Sequence, residues 1–388
     1  MSDQVLRGRV VTAEAVLPDG VVVVDGNRIS HVGVADEWDG DPGESRGTLL
    51  PGLVDVHDHG GGGHAFPTTD PAEAAAAARH HHRHGSTTVV ASLVTAAPDT
   101  LVEQVATLVP LVSQGLLAGI HLEGPFLSRA RCGAQDPAHL RLPDLELTRR
   151  LLDTGGAAIV WMTLAPELPG YSEVSALLRD AGVLVALGHS DAGHQVFADE
   201  LSRLEGRGLV THVGNAMPPL HHRAAGPVAA SLSAATRGEG LVELIADGVH
   251  TDAGFVDLVF ATAAPGCVVL VTDAMAAAGM PDGRYALGGQ DVTVVDRVAR
   301  LSESATQGGS IAGGTAHLVE VVATCVRAGV PLADAVRAAS RSPARVLGID
   351  ADRGVLAQGA MADVLVVDEH LRLQRVMRSG AWLAAPEA

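Results

Sequence analysis

The chain has 388 residues and a formal net charge of −18, from 27 basic against 45 acidic side chains. Every basic residue is arginine, which excludes a Walker phosphate loop, a Schiff-base lysine and a metal site bridged by a carboxylated lysine. The charge disfavours nucleic acid or an anionic membrane as partner, and three cysteines fit a reducing, cytoplasmic setting better than a disulfide framework. The start MSDQVLRGRVV has no basic flank running into an apolar segment of the secretory kind.

In chain order, residues 1–50 read as short β-branched strands, VLRGRVVTA, GVVVVDGNRISHVG and TLLPG, separated by glycine turns. The end, 351–388, reads the same way, which predicts that the termini meet in one small sheet domain. Between them, 51–350 alternates apolar strands with Ala/Leu-rich helices. The strand candidates are 53–57, 87–94, 117–123, 158–165, 183–189, 209–212, 242–250 and 267–273. Their near-continuous hydrophobicity is what a parallel sheet under helices requires. Eight such repeats predict an α/β fold, a (β/α)8 barrel, with a doubly wound open sheet as the structural alternative. Residues 254–272 are the most apolar stretch, but Asp257 and Pro265-Gly266 break it into helix, turn and strand rather than a membrane span. An insert, 279–315, predicts a hairpin and a Gly-rich loop. Its Gly313-Gly314 pair reads either as close backbone approach to a ligand or as a plain helix start with Thr315 as N-cap.

Polar residues end these strands: His57 with His59 two residues on, then Glu123, His189, His212 and Asp273. In a barrel, strand C-termini converge on one mouth. In extended backbone, i and i+2 face one way, so His57 and His59 can aim at one cation. Glu123, His189 and His212 complete five N/O ligands suited to Zn²⁺, Fe²⁺ or a related divalent ion. The run Gly60–Gly63 after the HxH predicts space for a bound molecule. It is not a dinucleotide loop, because no helix opens directly after it. Asp273 is the candidate general base, against a further ligand or an N-cap. His80, His81, His82 and His84 are read as a solvated helix face, with adventitious metal binding as the alternative, Cys267 and Cys325 as core, and Cys132 as a loop thiol near the mouth.

The motifs PGLVDVHDHG, HLEGPF, TLAPE, GHSDA, THVGNAMPP, IADGVH and VTDAM resemble, in order, those of the N-acetylglucosamine-6-phosphate deacetylases of the amidohydrolase superfamily. The resemblance runs over nearly the whole chain. It implies a metal-bearing barrel with a small β-sandwich built from both termini, and a homodimer. It implies Glu123, His189 and His212 as principal ligands, usually of Zn with Fe, Co or Mn as alternatives, and a second ion where His57 and His59 are kept. Asp273 matches the catalytic acid/base. Asn215, the backbone at Ala216, His250 and the backbone at Ile311, Ala312 and Gly313 match substrate contacts, as do Ala134 and Gln135. Arg223 matches an arginine that reaches the phosphate from the partner subunit. Gln135 stands where the family usually has His, so Gln135→His is expected to raise kcat. The implied reaction releases acetate from N-acetylglucosamine 6-phosphate to give glucosamine 6-phosphate. The alternatives are another amidohydrolase, such as an N-acyl-amino-acid deacylase, and a non-catalytic sugar-phosphate-binding barrel.

Overall fold

The structure, a computed structural model, describes residues 4–206, 208–302 and 309–384. Its centre is an eight-stranded parallel sheet in sequential order: Leu53–Asp58, Ser86–Leu93, Gly119–Glu123, Ile159–Leu164, Leu184–Leu187, Leu209–Val210, Leu241–Leu244 and Val268–Leu270. The two end strands meet just beyond the ladder. Asp273 N donates to His57 O at 2.9 Å and His59 N to Ala274 O at 2.7 Å, while Thr272 Oγ1 donates to Asp55 Oδ2 at 2.7 Å. These bonds close the barrel at its C-terminal mouth, as the eight repeats predict.

Alternation along the strands sorts the barrel into two cores. Val90, Trp161, Ala186, Leu209 and Val269 pack inside, whereas Ala91, Met162, Val185, Leu187, Val210 and Leu270 face the surrounding helices. One residue type changes with height. Towards the mouth the inward positions become polar, and Ser92, His121, Thr163, Thr211 and Glu243 are all buried. Ser92 Oγ lies 2.9 Å from His121 Nδ1, His121 Nε2 lies 2.8 Å from Thr163 Oγ1, and Thr163 Oγ1 lies 2.8 Å from Thr211 Oγ1. A buried polar group without a partner costs free energy, and this chain of bonds satisfies each by the next.

Four strands end two or more residues earlier than the apolar runs suggest. Strands five, six and eight stop before His189, His212 and Asp273, and strand seven stops at Leu244 rather than running to His250. The cause in strand seven is a side-chain turn, in which Asp247 Oδ1 accepts from Val249 N and His250 N, both at 2.8 Å.

The terminal strands gather in one seven-stranded sheet. Gln4–Val11, Val16–Asp25, Arg28–Val34 and Ser45–Pro51 come from the start, and Val364–Val367, Leu373–Arg378 and Ala381–Trp382 from the end. Ser45–Pro51 joins the halves, pairing parallel with Gln4–Val11 and antiparallel with Val364–Val367. Period two again divides the faces: Val10, Leu49, Val364 and Val366 build the sheet's own core, while Val11, Leu50, Leu365 and Val367 join the core of the barrel.

The insert is richer than a hairpin. Gly283–Leu287, Gln290–Val295 and Val298–Leu301 form a three-stranded antiparallel sheet, and residues 303–308 of the insert lie outside the described residues. The helix that follows is Leu318–Arg327, capped by His317 rather than Thr315, whose hydroxyl instead donates to Arg297 O. Gly313 and Gly314 press on the end of strand eight: Gly314 N donates to Asp273 O at 2.6 Å, and a Cβ on Gly314 would strike Thr272 O. Among the described residues no helix is long and apolar enough to cross a membrane.

Candidate metal and substrate site

Three of the strand-end residues sit in an unusual backbone. His189, His212 and Asp273 have φ of 47°, 29° and 48°, and nearby Ala216 has 50°. For L-residues this left-handed conformation costs roughly 1 kcal/mol or more each. It stops the strand and turns the side chain over the mouth, so residues that would alternate in and out all face one point.

That point is Glu123, the last residue of strand three. Its Oε1 lies 2.9 Å from His189 Nε2 and 2.9 Å from His212 Nε2, and its Oε2 lies 3.3 Å from His59 Nε2. His57 Nε2 is 3.2 Å from His59 Nε2. Asp273 Oδ1 is 3.1 Å from His59 Nε2 and 3.4 Å from His57 Nε2. The cluster therefore contains two overlapping triplets of donors, His57–His59–Glu123 and Glu123–His189–His212, with Glu123 common to both. All five of these residues are buried.

The far side of three of the four rings explains why their Nε2 atoms converge. His57 Nδ1 is 2.9 Å from Glu243 Oε2, His59 Nδ1 is 3.0 Å from Ser92 O and His189 Nδ1 is 2.8 Å from Arg131 O. An oxygen acceptor holds the proton on Nδ1 and leaves the Nε2 lone pair free, which is how proteins orient imidazole ligands. The donor set is imidazole nitrogen plus carboxylate oxygen, with Gln135 Nε2 donating to Glu123 Oε2 at 2.6 Å. Such a set fits a borderline divalent transition ion.

The charges of this cluster are carboxylates set against imidazoles. Burial pulls His57 down, but Asp273, Glu243 and Glu123 outweigh it and hold it well above its ordinary value. His59 follows the same logic, burial against hydrogen bonds to Asp273 and Glu123, and rises to about 9. Burial pushes Glu123 and Asp273 up, yet the neighbouring histidines keep both below the usual carboxylate range. The mouth is thus an anionic nest that favours positive charge on its axis.

Above the cluster opens a cavity of about 360 Å³ whose walls include His59, Glu123, His189, His212 and Asp273. Ala134, Gln135, Asn215, Ala216, His250, Ile311 and Gly313 also line it. His250 Nδ1 donates to Asp247 Oδ2 at 2.8 Å. Burial lowers His250, but this bond and the Asp247 charge more than reverse it, so it is raised.

Several placements differ from the sequence reading. Ala312 does not reach the cavity: its N–H donates to Ala299 O, and its methyl packs with Met275 and Val292. Gln135 lines the cavity, but both ends of its amide are engaged, Nε2 with Glu123 and Oε1 with Thr95 N at 2.7 Å. Arg223 lies on the exposed loop 219–224, outside this cavity. Cys132 is partly exposed and flanked by the cavity residues Arg131 and Gly133, whereas Cys267 and Cys325 are buried as expected.

The glycine run and the histidine helix change places in the reading. A Cβ on Gly61 would meet the His81 and His80 rings, and one on Gly62 would come within 2.5 Å of His80 Nδ1. The space these glycines leave is filled by helix α1, Pro71–Arg83, not by a ligand. His81 and His82 are buried, and His80 and His84 are half-buried, so this is not a solvated face. Burial lowers His80 to about 2, His81 to about 3 and His84 to about 4.

Sequence reasoning missed Glu243, which is fully buried and whose Oε2 also accepts from His212 N at 3.2 Å. Its signal was available as the one acid inside the apolar run LVEL. His121 was missed for the same reason, a lone imidazole inside GIHLE.

Known proteins corroborate the architecture. The amidohydrolase family model matches residues 48–383. The N-acetylglucosamine-6-phosphate deacetylase of Bacillus subtilis is 32% identical over 92% of this chain and 91% of its own length. The mouse deacetylase of the same name is 35% identical over 98% and 94%. The solved structure of an aspartate-to-alanine mutant of the Mycobacterium smegmatis N-acetyl-D-glucosamine-6-phosphate deacetylase, in complex with N-acetyl-D-glucosamine-6-phosphate, superposes with a TM-score of 0.90 at 38% identity. That match covers 98% of this chain and 99% of the other.

Proposed function

Because the chain belongs to the amidohydrolase family, among its N-acetylglucosamine-6-phosphate deacetylases, we propose that it removes the acetyl group of N-acetylglucosamine 6-phosphate. The products are glucosamine 6-phosphate and acetate. The observation that carries this reading is the Glu123 cluster, two donor triplets sharing one carboxylate beneath a cavity that Asp273 borders. His57, His59, Glu123, His189 and His212 would hold one or two divalent ions, Zn²⁺ by preference, with Glu123 as the shared anion. A divalent cation there supplies Lewis acidity, lowering the pKa of water and polarising the acetyl carbonyl.

The protein's own residues do the rest. Asp273, kept ionised by His57 and His59, accepts the proton of the attacking water and returns it to the departing amine. Asn215, the Ala216 backbone, His250 and the backbone at Ile311 and Gly313 hold the sugar phosphate. In a chain of charge −18 a phosphate dianion needs local donors at contact distance, where screening is least. Arg223, exposed on its loop beside the half-exposed Leu220, would complete that set from a second copy in a homodimer. On this reading 51–350 is the catalytic unit, 1–50 and 351–388 its companion domain, and the setting is cytoplasmic.

Acetate release is the test. Purified protein should release acetate from the 6-phosphate far faster than from free N-acetylglucosamine, and chelation of divalent ions should stop turnover until Zn²⁺ is restored. Equal rates on the two sugars would defeat the phosphate assignment. Undiminished release after the ions are stripped would defeat the metal-dependent mechanism itself.

A further inference from the structure

Away from the barrel mouth, imidazoles converge a second time, between helix α1 and the start of helix Leu318–Arg327. His80, in the last turn of α1, and His84, its C-cap, stand one turn apart, and His317 caps the other helix. His80 Nε2 lies 2.9 Å from His317 Nε2. The His84 ring lies flat on that of His317, centroids 3.9 Å apart, and one ring nitrogen of each of the three lies within 4.8 Å of the others.

Two of the three remaining ring nitrogens face an oxygen. His84 Nδ1 donates to His80 O at 2.7 Å, and His317 Nδ1 faces Glu320 Oε2 at 3.3 Å. The same carboxylate oxygen accepts from His317 N at 2.8 Å, which fixes the ring further. A ring that gives its Nδ1–H to oxygen presents an Nε2 lone pair. A proton on His80 Nε2 can serve only one of the two lone pairs, whereas a cation can serve all three rings.

The backbone is cleared for these rings. A Cβ on Gly279 would stand 2.8 Å from His80 Cε1 and 3.1 Å from His317 Cε1. His84 and His317 open into a cavity of about 700 Å³ whose wall also carries Glu320 and Glu369. That opening gives a solvent-borne ion a route in and an oxygen donor within the same pocket.

We propose that His80, His84 and His317 form a further divalent-cation centre, distinct from the Glu123 cluster, that clamps helix α1 to the start of helix Leu318–Arg327. Its donors are three imidazoles with carboxylates at the edge, so it takes a nitrogen-preferring ion such as Zn²⁺, Ni²⁺ or Cu²⁺ rather than Mg²⁺ or Ca²⁺. Binding requires the His84 ring to tilt off the stack so that its Nε2 meets the ion. The clamp is close in sequence to the catalytic wall, because His317 follows Gly313 and Gly314, and Gly314 N holds Asp273 O. The proposal does not depend on the hydrolytic reading.

The test compares the purified holoenzyme with its His84→Phe variant, which keeps an aromatic ring on His317 and removes the nitrogen donor. After incubation with Ni²⁺ and removal of free ion, elemental analysis should find one more ion per chain in the parent. Added Ni²⁺ should raise the parent Tm by about 2 °C or more and leave the variant less affected. Anomalous diffraction at the nickel edge from a soaked parent crystal should place a peak between His80, His84 and His317. That map decides the matter even if the variant fails to fold, and its lacking any peak there would overturn the proposal. Equal ion counts in two folded proteins would do the same.

Discussion

The two histidine clusters use the same side chain and reach opposite electrostatic states. At the mouth, His57 is held well above its ordinary value and His59 rises to about 9. On α1, His80, His81 and His84 fall to about 2, 3 and 4. Burial disfavours the imidazolium in both places. The difference is the anion: Glu123, Asp273 and Glu243 surround the mouth, whereas the His80 and His84 rings mostly face one another and nearby arginines, and the carboxyl beside His81, Asp58, is itself pushed well above its ordinary value by burial. An imidazole's chemistry here is written by the carboxylates within reach, and the mouth is a site for positive charge because strands three, seven and eight each deliver one acid to it.

The strongest way to break that comparison is to remove the mouth's outermost acid. Asp273→Asn should lower kcat for acetate release by about 10²–10⁴-fold while leaving the affinity for the 6-phosphate nearly unchanged. The amide occupies the same volume but accepts no proton from water. Full activity in that variant would remove Asp273 from the proton path.

Next in size is the acid that never meets substrate. Glu243→Gln keeps a polar group against His57 Nδ1 and the His212 backbone N–H but removes the charge behind the His57 ring. Outer-shell carboxylates of this kind are worth about 10–100-fold in metal affinity or activity. Ion retention in dialysis should fall by that order, and a ratio near one would mean that the charge of Glu243 is not used.

A smaller effect tests whether one acid governs one imidazole at the cavity wall. Asp247 holds His250 above its ordinary value after burial has pulled it down. A raised histidine contributes stability that is complete below its unfolded pKa of about 6.5 and is lost as pH rises through the folded value. The charge offered to a phosphate follows the same curve. KM for the 6-phosphate should therefore climb on the alkaline side, and Asp247→Asn should move that limb to lower pH, with KM at neutral pH raised about 3–10-fold. An unmoved limb would separate His250 from phosphate binding.

The legible part of the molecule was what period and position dictate. Continuous apolar runs named all eight barrel strands, and the rule that strand ends meet at one mouth gathered His57, Glu123, His189, His212 and Asp273 before any geometry was known. Hidden were the features that only packing decides. Glu243 and His121 sit inside apolar runs, where a single polar letter reads as noise until its partner on another strand is placed. Gly60–Gly63 announced space, but at Gly61 and Gly62 what fills it is helix α1, brought there by tertiary contact. The left-handed turns at His189, His212 and Asp273 shortened strands that hydrophobicity alone extends. His317 took the cap that Thr315 advertised because Thr315 found Arg297 O instead.

The finest test adds a fifth imidazole to the mouth. The family resemblance makes Gln135 a substrate contact, with Gln135→His raising kcat. The amide is instead a rigid two-ended connector, giving Nε2–H to Glu123 Oε2 and taking the Thr95 N–H on Oε1. A neutral imidazole also has one donor and one acceptor, but on opposite edges of a ring, so it cannot meet both partners from the Gln135 backbone without turning one away. If the ring keeps Glu123, Thr95 N is left unpaired in a buried place; if it keeps Thr95, the shared carboxylate loses a short charge-assisted bond. Either way Gln135→His should lower kcat by roughly 2–5-fold, in keeping with the about 1 kcal/mol that a lost hydrogen bond is worth. A rise in kcat would mean that the ring turns toward the substrate carbonyl, and would return position 135 to the substrate's side of the cavity.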